Sequence, residues 1–191
     1  MSAPRAWTEV TVFDFSYGSY TLVAVDPGVK GCGVSVWGAD RLVRAEYVRS
    51  TPADGLLDWE AAALAVSAAF GNASVRELVI ERPQVYARRL ETDPYDLITL
   101  SLIAGAVAGL FRSKSHLLTV TEFHPADHKG QIPKPLKGEE YIIAQRVKKH
   151  LDAEELANIK PCAPSLMHNV YDAIWLGRHF LKQRDRWGER K

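Results

Sequence analysis

Three carboxylates stand where a folded chain normally excludes charge. Asp26 follows the apolar run Leu22-Val23-Ala24-Val25, Glu81 follows Leu78-Val79-Ile80, and Asp172 lies between Val170-Tyr171 and Ala173-Ile174. A carboxylate is rarely buried unless it is paired or bound to a cation. Any one of the three alone reads as well as a structural group, capping a strand end or meeting an arginine, as it does as a metal ligand. All three in one small domain, without obvious cationic matches, point to a hard metal ion held by oxygen. Oxygen ligands suit Mg²⁺ or Mn²⁺ and do not suit zinc. His124 and His128 have the look of a zinc pair, but no third strong ligand lies near them and Pro125 interrupts their register.

The elements that must position these groups are legible as patterns. Tyr20 to Val25 reads as a β-strand closed by the turn Asp26-Pro27-Gly28. Cys32 to Trp37 and Leu42 to Val48 read as two more, joined by a hairpin at Gly38-Ala39-Asp40. Leu56 to Phe70 has helical spacing and stops at Gly71-Asn72. Leu78 to Ile80 suits a strand covered on both faces. Asp96 to Phe111 reads as a long apolar helix, with Asp93 or Asp96 favouring the dipole at its start, and Leu117 to Phe123 as a strand. His124 to Gly138, with Pro125, Pro133 and Pro135, reads as a loop or broken segment. Glu139 to Leu151 is an amphipathic helix, and a last helix opens at Pro164-Ser165 and runs to about Lys182. This order predicts an α/β fold: a mixed five-stranded sheet, a β-meander and then alternating β and α, with helices on both faces.

With 191 residues, 47% of them hydrophobic and 25% charged, the chain suits one domain with a full core. The net charge of +1 hides an asymmetry: 11 basic and 14 acidic residues through Phe123, then 13 and 9 from His124 onward. The later part is therefore biased towards a polyanion. Cys32 and Cys162 make no disulfide framework and suit a reducing compartment. The N-terminus has no apolar signal core, and the run Leu97 to Phe111 is shorter than the roughly 20 residues of a membrane span. The expectation is a single cytoplasmic domain over 1–191, with an N-terminal extension over 1–18, a basic tail over 183–191, no membrane and no small-molecule cofactor.

Asp26-Pro27-Gly28 after an apolar strand, Val79-Ile80-Glu81, and Tyr171-Asp172-Ala173 in a final helix follow the pattern of the ribonuclease H-like fold. Within it, the sequence resembles Holliday-junction resolvases of the RuvC type, especially the phage-encoded branch. The resemblance covers about Tyr20 to Phe180, and Lys129-Gly-Gln-Ile-Pro-Lys134 is similar to that family's basic loop; Trp7 to Tyr17 lies outside the pattern.

The resemblance implies a metal-dependent, structure-selective endonuclease that resolves four-way DNA junctions by paired symmetric nicks. It implies two Mg²⁺ or Mn²⁺ ions per site, 5′-phosphate and 3′-hydroxyl products, and a homodimer (in host cytoplasm if the chain is phage-encoded). Asp26, Glu81 and Asp172 would be the catalytic metal ligands. The family carries a fourth ligand, Asp or His, one turn before the last Asp. Here Asn169 is three residues back and His168 four, both on the face of Asp172; His168 is favoured because imidazole binds Mn²⁺ or a water better than an amide does. Lys129, Lys134 and Lys137 would hold phosphates. Arg82, Tyr86, Arg88 and Arg89 follow Glu81, where the family has an aromatic residue that probes the junction, so Tyr86 is the candidate for stacking on a base. Arg146, Lys148 and Lys149 read equally as further contacts or as a solvated face. Gly105 and Gly109 in the apolar helix would let a second subunit approach, and an isologous dimer presents two sites to two symmetric strands. The alternatives are a flap or RNA–DNA hybrid nuclease of this fold, a non-catalytic junction-binding protein, or a relative of actin-like ATPases, which share the strand ending in Asp-x-Gly but need a second, duplicated domain.

Overall fold

The computed structural model describes residues 21–50, 55–71, 74–84, 93–130 and 140–188, with Arg186 to Gly188 described through their backbone alone. The buried strand β1 (Thr21–Asp26) takes the centre of a five-stranded sheet ordered β3-β2-β1-β4-β5. The strands β2 (Gly31–Gly38) and β3 (Arg41–Arg49) form the expected meander on one side of it. On the other side β4 (Val75–Glu81) pairs parallel with β1, and β5 (Thr119–Phe123) pairs parallel with β4. The β2–β3 hairpin turns through Ala39 and Asp40, whose φ angles of 48° and 67° give the turn that matches strand twist.

Side chains alternate across a strand, and this parity sorts the core into two layers. Val23, Val25, Leu78 and Ile80 face α1 (Asp58–Phe70) and α2 (Pro94–Lys114), meeting Val66, Phe70, Ile103, Val107 and Phe111. Leu22, Ala24 and Val79 face the opposite layer, which contains α4 (Ile142–His150) and α6 (Met167–Gly188). By the same parity Asp26 and Glu81 fall on the α6 side. Two shorter helices complete the chain, α3 (Pro125–His128) after β5 and α5 (Ala153–Ala157) beside β3.

Helix α6 seats unusually close to β2. A Cβ at Gly33 would stand 2.0 Å from the carbonyl oxygen of Asn169, and one at Gly177 would stand 2.3 Å from the indole nitrogen of Trp37. Between these points Ser35 donates from Oγ to the Ala173 carbonyl at 2.9 Å, and Trp37 donates to Ser35 Oγ at 3.0 Å. Gly33 pairs with Asp26 across β1 and β2, so the close approach brings the first turns of α6 to the acidic end of β1.

Several boundaries differ from the sequence reading. Helix α2 has 21 residues because Asp93 caps it, accepting from Tyr95 N at 2.9 Å, and Arg112 and Lys114 suit its last turn. It is thus long and apolar enough to cross a membrane by length and composition; here one of its faces packs into the sheet core. The segment after β5, read as a loop or broken segment, opens with the short α3, while 131–139 lie outside the described residues. The last helix begins at Met167 and continues through the expected basic tail to Gly188. Arg184 Nη2 reaches Asp40 Oδ1 at 2.5 Å and ties this end of α6 to the hairpin. The residues 1–18 also lie outside the description.

Candidate active site

The parallel pairing of β1 and β4 places their carboxyl ends side by side, with Val25 opposite Ile80, and Asp26 and Glu81 follow. Ligands of open α/β sheets bind at the carboxyl ends of the strands, where the connections leave the central strand to opposite sides, here to β2 and to β4. Asp172, one turn beyond the start of α6, reaches the same edge from above. All three are largely buried, Asp26 and Asp172 at 7% and 4% exposure.

A lysine from the segment after α3 sits among them. Lys129 Nζ donates to Glu81 at 2.8–3.0 Å and to Asp172 Oδ2 at 2.9 Å. Burial disfavours its ammonium, yet Asp26, Glu81 and Asp172 together hold its pKa above the ordinary lysine value. Burial also works against the Glu81 carboxylate, but the hydrogen bond from His128 and the charge of Lys129 hold its pKa below the usual range. For Asp172 burial prevails over Lys129, and the neighbouring charge of Glu81 pushes the pKa further up.

Two residues that the sequence did not single out for this role complete the shell. His128, its side chain fully buried, donates from Nε2 to Glu81 Oε2 at 2.9 Å, and its backbone carbonyl accepts from Trp175 Nε1 at 2.7 Å. Tyr141 donates its hydroxyl to Asp172 Oδ1 at 2.7 Å; burial and that carboxylate raise its pKa. His168 lies against the edge of the Tyr141 ring, centroids 6.3 Å apart, on the Asp172 side of the site. Asn169 abuts Gly33 through its backbone. Arg82 is exposed immediately beyond Glu81, its backbone N–H on the Phe123 carbonyl at 2.8 Å. Tyr86, Arg88, Arg89, Lys134 and Lys137 lie outside the described residues.

The donor set around Lys129 is carboxylate oxygen, the chemistry a hard divalent cation requires. It already cradles one positive charge. Through its contacts with Glu81 and Asp172, Lys129 supplies the charge that balances the acids in this arrangement; among the described residues no three His, Cys, Asp or Glu side chains are grouped as a metal site. Removing Lys129 leaves buried carboxylates unpaired, which typically costs about 3–5 kcal/mol. Lys129→Met is accordingly expected to lower unfolding free energy by about 3 kcal/mol in EDTA, read by urea denaturation. A loss below about 1 kcal/mol, the worth of an exposed ion pair, would show that the ammonium does not hold the acids.

The fold and this acidic edge together define an α/β domain of ribonuclease H-like architecture. No family model matches the sequence, and no curated protein matches it. Among solved structures, RuvC of T. thermophilus in complex with a Holliday junction substrate is similar, with a TM-score of 0.52 and 18% identity over 84% of this chain and 91% of that chain. A second Thermus thermophilus RuvC structure gives 0.48 at 19% identity, covering 83% and 92%. The yeast mitochondrial Holliday junction resolvase Ydc2 gives 0.49 at 8%, covering 85% and 79%. At 18% identity the likeness to the junction-bound RuvC is one of fold: the chain shares its ribonuclease H-like sheet.

Proposed function

We propose that this chain is a metal-dependent endonuclease that resolves four-way DNA junctions by paired symmetric nicks, leaving 5′-phosphate and 3′-hydroxyl ends. The observation that carries this reading is the placement of Asp26, Glu81 and Asp172, from β1, β4 and α6, around one ammonium at the carboxyl edge of the sheet. The fold likeness to a RuvC bound to a Holliday junction supports the substrate class.

Asp26, Glu81 and Asp172 would hold Mg²⁺ or Mn²⁺, with His168 as the further ligand. Two such ions, when bound, supply Lewis acidity and a water of lowered pKa at the scissile phosphate. The chain's own groups prepare that site. Tyr141 fixes one oxygen of Asp172 and leaves the other to Lys129. His128 orients Glu81 from the buried side, as partners of metal-binding carboxylates do. Lys129 keeps the acids in place and carries positive charge where a phosphate must arrive. Arg82, exposed beside Glu81, is placed to meet the backbone of an incoming strand.

Cleavage of labelled four-way junction, flap, duplex and RNA–DNA hybrid, each with Mg²⁺ and with Mn²⁺, tests the proposal. Symmetric paired cuts in the junction, abolished by EDTA, are expected. Preferential cutting of the hybrid or flap would replace junction resolution with the alternative nuclease activity, and no metal-dependent cleavage of any substrate would overturn the reading.

A further inference from the structure

A second feature begins one turn along α6 from Asp172. Trp175 is half-buried, and cationic side chains gather round its ring: Arg146 at 5.8 Å and Lys182 at 5.7 Å from the centroid, with the His150 ring at 5.6 Å. Burial, and after it the charges of Lys182, Arg178 and Lys149, lower the pKa of His150. Like charges brought together cost free energy unless an opposite charge offsets them.

Several cations on other faces have that offset. Arg41, Arg44, Lys148, Lys160 and Arg184 each meet a carboxylate. None of Arg146, Lys149, Arg178 and Lys182 does so among the described residues, and the buried Arg178 Nε has no hydrogen-bond partner. Lys148, one residue from Lys149 on α4, is paired with Glu140 at 2.6 Å, so the contrast is local. Among the described residues no carboxylate offsets this charge, which makes the face a site for an anion from outside.

Its position narrows the anion. Asp172, Trp175, Arg178 and Lys182 succeed one another along one side of α6, so the cations trail away from the carboxylates over about 15 Å, roughly half a turn of duplex DNA. Trp175 also donates to the carbonyl of His128, whose ring holds Glu81. A spaced row of cations leading from the acidic edge matches the repeating charge of a phosphodiester backbone and exceeds what a single small anion needs.

We propose that the α4–α6 face centred on Trp175 grips the phosphate backbone of a duplex DNA arm outside the cleavage site. This rests on the nuclease reading and adds to it the surface that holds the substrate's flank. The indole serves as the platform on which Arg146 and Lys182 are arrayed, so the cations are ordered before DNA arrives and lose less side-chain entropy on binding.

The test is fluorescence anisotropy of labelled four-way junction and labelled duplex, in EDTA, over a range of salt concentrations. The double variant Arg146→Ala/Lys182→Ala is compared with the wild type and with Lys148→Ala. Two lost phosphate contacts should weaken binding about tenfold or more at roughly 0.1 M salt and make the slope of log K against log salt shallower by about 2. Lys148→Ala should match the wild type on both readouts. The melting temperature of the double variant should equal or exceed that of the wild type, since like charges are relieved. Wild-type binding with unchanged affinity and slope in the double variant overturns this surface while leaving the nuclease reading standing. No junction binding by the wild type overturns both. Binding to anionic phosphatidylserine vesicles that the double variant loses, with DNA binding unchanged, assigns the face to a membrane and overturns the DNA arm.

Discussion

Asp26→Asn should abolish metal-dependent junction cleavage while junction binding in EDTA stays equal to the wild type or tightens. The two side chains are nearly isosteric, so packing at the end of β1 is retained, and Glu81 and Asp172 still engage Lys129. What disappears is one full negative charge at a position 7% exposed. That charge is one of the three that hold the pKa of Lys129 above the ordinary lysine value. A hard cation loses a primary ligand, and the rate should fall at least about a thousandfold. Binding moves the other way because the site repels an approaching phosphate less. Cleavage time courses with Mg²⁺ and Mn²⁺, set beside anisotropy titrations of the same junction, separate the two effects. Near-wild-type cleavage by Asp26→Asn would remove Asp26 from the site, and parallel loss of binding and melting temperature would mark it as structural.

The acidic positions were legible because burial and charge conflict within a few residues. A carboxylate at the end of an all-apolar strand is visible in one dimension, and alternation along β1 and β4 then forces both acids onto the α6 side. The partners of those acids were not legible. His128 meets Glu81 only because β5 pairs parallel with β4, with Phe123 opposite Glu81, so the chain leaving β5 passes the acidic edge. Nothing near His128 in sequence announces that register, and as half of a possible zinc pair it looked inert. Lys129, read as a phosphate contact, is engaged here by Glu81 and Asp172; its cationic match to the acids was invisible because 43 and 48 residues separate the partners. Tyr141 is hidden in the same way.

The helix boundaries divide along the same line. The Asp152-x-x-Glu155 capping box of α5 was written in the sequence, but a five-residue helix is too short to show periodicity. The end of α6 meets the β2–β3 hairpin through the Arg184–Asp40 contact across 144 positions, which no local pattern records.

Gly105→Arg or Gly109→Arg should convert a dimer into a well-folded monomer that nicks junctions without coordinated second cuts. Tyr95, Ile98 and Leu102 on α2 are 76%, 56% and 43% exposed. With Gly105 and Gly109 they continue at three- and four-residue spacing, so the five lie along one side of the helix. The opposite side, through Ile103, Val107 and Phe111, is fully packed on the domain's own core. An apolar stripe facing outward on a helix normally turned to water marks an interaction surface. Its two glycines leave a groove where a partner backbone can approach. Among the described residues of one subunit nothing lies within 4 Å of a Cβ added at either glycine, so a side chain there starts into open space. Replacing an exposed mid-helix glycine even adds about 1 kcal/mol of helix propensity. Any loss must therefore come from between subunits, where a bulky charge would be stranded against an apolar partner at a cost of several kcal/mol. The wild type should sediment near twice 21.3 kDa, and each variant near the single-chain mass with an unchanged or higher melting temperature. On a plasmid-borne cruciform, paired cuts within one binding event should give way to single nicks, because one subunit presents one site to a substrate with two symmetric strands. A wild-type monomer at micromolar concentration that still cuts in pairs would take this face out of the mechanism, and a dimer that survives both arginines would place the subunit contact elsewhere.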